Sequence, residues 1–307
     1  MQHSALTPRQ TALSYFSAFM FVVAMVAIAG FYSDREIILP EISAMAVALW
    51  VYRDQNWMRH PEKIFLWPSA TALLGFCINL LAIPYAAKLM LVLGAMLMFF
   101  LVFRYSLAPA LATGFLPVVT NATEISFLLA IVTTTLALMF AVKLAKLRTD
   151  HNRSVVVMPK VLAVYAAIIL AAIGIAASLG NPHLAVLPPV AVVVYETLHM
   201  KMYSWRMVLK QTLALTLSAT IGVMVYLYLN NWVAVAAVSL VLMWLLLRLL
   251  KMRMPAVYAF PFLAYVFPQQ AIEWLPVATV LVSFFSLSLV LAYHVTQNAK
   301  ASSRIRT

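Results

Sequence analysis

Residues 12–32, ALSYFSAFMFVVAMVAIAGFY, carry no charged side chain, and runs like this one recur along the whole chain. A stretch of that length crosses the hydrocarbon core of a bilayer as one helix, which needs about 20 residues. The chain has 307 residues, 65% hydrophobic and 10% charged, whereas a soluble domain carries about 25% charged residues. In hydrocarbon only helices and closed barrels satisfy their own backbone polar groups. The runs are continuous rather than alternating, so they read as helices. The expected fold class is an all-α polytopic membrane protein, with the lipid bilayer as its principal partner.

The net charge of +12 invites a nucleic-acid reading, but the basic residues sit in short clusters between apolar runs. That pattern marks topology, so no nucleic-acid partner is expected. The single Cys77 excludes an intramolecular disulfide and any cysteine-based metal cluster. Ala27-Ile28-Ala29 mimics a signal-peptidase site. The first helix nevertheless has an internal counterpart, which favours an uncleaved segment.

Laid over itself at an offset of 146 to 149 residues, the chain matches itself in order. ILPEISAMAVALWVY (38–52) falls on VLPPVAVVVYETLHM (186–200), and Trp57 on Trp205. The SAT at Ser69 falls on the SAT at Ser218, Pro109-Ala110 on Pro255-Ala256, and Glu124 on Glu273. The pattern predicts a duplicated unit of about 148 residues. One six-helix repeat is expected over 1–146, a basic cytoplasmic linker over 147–160, and a second repeat over 161–307.

Charge fixes the number of crossings. Expected helices lie at 11–31, 37–52, 64–82, 85–104 and 123–142, with copies at 161–180, 184–199, 211–229, 232–249 and 271–294. Two proline-bearing segments, 105–120 and 254–269, remain to be assigned. If they stay on one side, the 21 Lys and Arg divide 8 against 13; if both cross, the division is 19 against 2, with only Arg35 and Lys88 outside. The second arrangement obeys the positive-inside rule. It predicts about 12 transmembrane helices as two parallel six-helix repeats, with both termini cytoplasmic and the protein in the cell membrane. No polar stretch exceeds about twenty residues, so no soluble domain is expected.

The proline segments are shorter than a regular span. Corresponding short, Gly/Pro-interrupted segments in two halves are the best sequence pointer to a transporter's binding site. Pro109, Thr113, Gly114, Pro255, Ala259 and Pro261 are therefore the expected substrate-binding positions. Pro40 and its copy Pro188-Pro189 show the same habit. Glu41, one step past Pro40, is an intramembrane carboxylate, a class that is expensive and functional by default. It is the expected coupling residue; its bland alternative is an outer-interface side chain paired with Arg35.

Other polar residues have structural explanations. Glu196 and His199 read as an interfacial cluster, because a metal site needs more ligands than this spacing offers. Glu124 and Glu273 suit helix N-termini, Trp57 and Trp205 read as interfacial anchors, and Thr133, Thr134 and Thr135 as bonded to their own backbone. The chain holds no P-loop, dinucleotide fingerprint, zinc-protease motif or nucleophile elbow. No enzymatic activity, cofactor or metal is expected.

This layout resembles the HPP family of integral membrane proteins. In LAPALAT (107–113), Pro109, Ala112 and Thr113 match that family's His-Pro-Pro and Ala-Thr pattern, while Leu107 and Ala108 replace the His and first Pro. In RMPAVYA (253–259) Pro255 remains, and Glu273 to His294 looks like the closing helix. The resemblance implies transport of a small anion such as nitrite. EKIFLWPSATALLGF (62–76) and LKQTLALTLSATIGV (209–223) also resemble the fusaric-acid-resistance and aromatic-acid-exporter family. That likeness implies export of aromatic or hydrophobic compounds. The expected function is secondary transport of a small solute by alternating access. A non-transporting scaffold or lipid-interacting protein is the rival class. Substrate, direction, coupling ion and homo-oligomerisation are left open.

Overall fold

A computed structural model describes residues 7–148, 157–178 and 185–305. The expected linker falls largely outside them, as do Arg153 and Arg306. The described residues are all helical or loop. Seven helices are long and apolar enough to cross a membrane. They are α1 (Pro8–Tyr32), α4 (Tyr85–Val102), α6 (Ile125–Leu144), α7 (Pro159–Ser178), α9 (Trp205–Tyr228), α10 (Trp232–Leu250) and α13 (Leu275–Ile305). This is the architecture of a polytopic membrane protein.

Between them lie α2 (Pro40–Ala46), α3 (Pro61–Asn79), α5 (Ala108–Thr120), α8 (Pro188–Leu198), α11 (Phe260–Val266) and α12 (Gln269–Ile272). A wide π-helical turn over Val47–Val51 extends α2, and a 3-10 turn over Pro255–Tyr258 precedes α11. Helix thus occurs in each of the twelve expected segments, but the second proline segment is split where the first is one helix.

Neighbours recur in matching pairs. Helix α1 packs on α10 and α7 on α4; α5 packs on α8, and α2 on the 3-10 turn. Helix α3 lies against α4, α5 and α6, while α9 lies against α10, α11 and α13. A Cβ on Gly75 of α3 would strike the Gly114 carbonyl of α5, and one on Gly222 of α9 would strike Pro261 of α11. Only glycine lets the backbones approach this closely, as in membrane helix packing generally. One turn earlier, Thr71 and Ser218 reach the same partner segments. The spacing is 147 residues for both pairs. The SAT alignment set Ser69 on Ser218, whereas this spacing sets Thr71 there.

The prolines begin helices more often than they break them. Pro40 opens α2, Pro109 is the second residue of α5, Pro188-Pro189 open α8, and Pro255 opens the 3-10 turn. Each of these four elements follows a buried apolar residue in extended conformation: Leu39, Leu107, Leu187 and Met254. None of those four residues makes a side-chain cap bond. A helix starting inside apolar surroundings leaves its first N–H groups unsatisfied. Proline in the first turn removes one such donor and already has the helical φ.

Candidate functional site: a central cavity with two carboxylates

These four helix starts surround one cavity of about 20 Å³, room for a water-sized body with little to spare. Helix α2 contributes Pro40, Glu41, Ala44 and Met45, and the following loop contributes Trp57. Helix α5 adds Pro109 and Ala112; α8 adds Pro188, Pro189, Val192 and Glu196. Pro255, Ala256 and Ala259 close the ring. The spacings of three and four residues place each set on one helical face.

Of the expected substrate-binding positions, Pro109, Pro255 and Ala259 line the cavity, and so does Glu41. Thr113, Gly114 and Pro261 lie outside that lining. From Pro109 the inward face of α5 runs on to Ala112, which turns the next two residues away. Thr113 is fully buried and exchanges a 2.9 Å hydroxyl contact with Thr71. Gly114 packs on Gly75 and Met96, and Pro261 on Gly222. Those three hold the short helices against α3 and α9.

Glu41 is 4% exposed, and neither carboxyl oxygen has a hydrogen-bond partner outside its own residue among the described residues. The Arg35 pairing does not form; its guanidinium lies 5.7 Å from the Trp232 ring centre. Beside Glu41, Ser43 donates to the Tyr258 carbonyl at 2.8 Å, tying α2 to the 3-10 turn.

Glu196 and Trp57 correct their expected roles. Trp57 is buried rather than a membrane-surface anchor, and its indole N–H donates to Glu196 Oε1 at 3.1 Å. Asp54 fixes this loop by accepting from the amides of Asn56 and Trp57 at 2.9 and 3.4 Å. Burial pushes the Asp54 carboxyl above its ordinary value, and those amides pull it partly back. His199 faces away, its Nδ1 2.8 Å from the Tyr195 carbonyl. Glu196 stands seven residues after Pro189, two turns along the same face. That spacing was the available signal for its place in the cavity.

Elsewhere the polar residues are structural. Thr133, Thr134 and Thr135 donate to carbonyls one turn back, as expected. Glu124 stands at the N-cap of α6, as expected, but its side chain makes no cap bond. Glu36, from the turn before α2, accepts from the amides of Thr123 and Glu124, both at 2.9 Å. Burial raises the Glu36 carboxyl above its ordinary value, against the lowering effect of those two amides. Comparison of the chain with family models, curated proteins and solved structures finds no match.

Proposed function

We propose that this protein is a membrane transporter moving a small solute through the central cavity, by alternating access of two duplicated, parallel six-helix halves. The observation that carries this reading is the meeting of four proline-led, uncapped helix starts around one cavity, two from each half of the chain. Such starts suit backbone that lines a protected pathway. The paired neighbours and the shared 147-residue spacing support the duplication. The 19-to-2 charge division supports cytoplasmic termini in a cell membrane.

Glu41 is the proposed coupling residue, with Pro109, Ala112, Pro255 and Ala259 as wall. Thr113, Gly114 and Pro261 support that wall from behind. The HPP likeness remains our proposed affiliation, resting on Pro109, Ala112 and Thr113. Its implied anion is disfavoured, because among the described residues the lining has two carboxylates and no Lys, Arg or His. The small volume likewise disfavours a bulky aromatic compound.

The test is solvent access in membranes. In a Cys77→Ala background, Ala112→Cys and Ala259→Cys are expected to react with a small hydrophilic thiol reagent, while Thr113→Cys stays unreactive. Silence at both cavity positions in folded protein would discard the pathway and favour the non-transporting scaffold.

A further inference from the structure

The cavity combines features that select the charge of its occupant. Its ionisable wall residues are Glu41 and Glu196, on α2 and α8. Neither α5 nor the Pro255–Tyr258 turn adds a basic group to the lining; outside it, Asp54 adds negative potential at Glu196, offset in part by Arg59 beside Asp54. Glu196 has Trp57 as a donor. Glu41 has both oxygens without an outside partner while nine-tenths buried. An ionised carboxylate in that position needs a counter-charge. A neutral one would leave its own O–H without an acceptor, which also costs free energy when buried. The ionised form is completed by a body that brings both positive charge and N–H donors, and a protonated Glu41 must release its proton before such a body is held.

Size and wall chemistry narrow the class. A cavity of about 20 Å³ holds a water-sized body, and the ammonium ion is of that size. Prolines, alanines, Val192 and Met45 offer mostly apolar surface, a poor substitute for the oxygen shell that a bare metal ion loses. Trp57 is the aromatic residue in the wall, and an indole face attracts cations. Resting on the transporter reading, we propose that the solute is ammonium or a small protonated amine, held by Glu41 with Glu196 as the second carboxylate. Protons and this cation then compete for Glu41.

Ligand-dependent thermal stability of the purified full chain in detergent tests this at neutral pH and fixed ionic strength. Binding to the folded state alone raises the unfolding temperature in a saturating manner. Ammonium chloride is expected to raise it by about 3 °C over choline chloride, and the larger methylammonium chloride by less. Sodium chloride and sodium nitrite should leave it unchanged. Glu41→Gln should abolish the ammonium effect. Ala112→Leu, which fills the cavity and leaves Glu41 in place, should do the same.

An equal rise with sodium would overturn the amine assignment, as would an ammonium rise that survives both substitutions. Absence of any ammonium rise in wild type would also sink it. A nitrite-specific rise, with Ala112→Cys and Ala259→Cys still reactive, would refute the cation and leave the transporter reading standing.

Discussion

Helices α3 and α9 hold their short partners by the same two residues, a hydroxyl and, one turn on, a glycine, yet the partners differ. Helix α5 runs unbroken through its contact with Gly75, where it carries Gly114. The other partner carries Pro261 at the corresponding place, and a 3-10 turn and a short helix replace the single helix. Proline lacks the N–H that would bond the carbonyl four residues back, which here belongs to Val257. Ser218 donates to that carbonyl at 2.6 Å. In the first half the Thr71 hydroxyl meets the Thr113 hydroxyl instead, and Thr113 itself donates to Ala110. The same clamp is a spacer on one side and a backbone repair on the other.

The comparison breaks first at the glycines. Gly75→Ala drives a methyl into the Gly114 carbonyl, backbone that cannot step aside. We expect a loss of about 3 kcal/mol, at the upper end of overpacking costs, read as a lowered unfolding temperature or lost folded yield. Gly222→Ala meets Pro261 in the segment that is already interrupted, and should cost less. A larger loss at Gly222 would show the split segment to be the stiffer of the two.

Next come the hydroxyls. Ser218→Ala strands a buried carbonyl and is expected to cost about 1–3 kcal/mol. Thr71→Val should cost under about 1 kcal/mol, since Thr113 keeps its Ala110 acceptor. Denaturation of both variants side by side measures the asymmetry, and equal losses would refute the repair role. Pro261→Ala sharpens it further, because alanine restores the missing N–H. In that background Ser218→Ala should lose most of its effect, a coupling that a double-mutant cycle reads directly.

The smallest effect lies at the loop beside the cavity. Burial raises the Asp54 carboxyl, so the folded chain holds that proton more tightly than the unfolded one. Stability from this group is present at low pH and is lost as pH rises through the carboxylate range. Asp54→Asn keeps an oxygen for the Asn56 and Trp57 amides without the buried charge. A gain of under about 1 kcal/mol is expected at neutral pH, fading as pH falls toward about 4 and gone below it. A pH series of melting curves checks it. Trp205, which the sequence comparison set against Trp57, is 48% exposed.

Positions of helices were legible because membrane burial writes itself into long apolar runs and proline pairs. The face each residue presents was less so. Symmetry singled out Thr113, Gly114 and Pro261 along with Pro109, since proline and glycine mark both a pathway and a tight helix contact. Only the phase of each short helix, counted from its proline, separates Ala112 from Thr113. Glu196 and Trp57 were misread for another reason. Each has a common role at a membrane surface, and their hydrogen bond joins residues 139 apart in the chain, which no local pattern records.

The four uncapped helix starts also bear on rates. An ordinary helix entry is latched by a side chain onto its first amides, and swinging it means breaking that latch. At Leu39, Leu107, Leu187 and Met254 there is no such latch, and proline has removed an amide that would need one. A pivot at these residues sacrifices no capping bond, and the polar ties it would strain are the Ser43 bond to the Tyr258 carbonyl and the Trp57 bond to Glu196. Under the proposed alternating access, these four starts are the places where a helix would turn without first losing a cap.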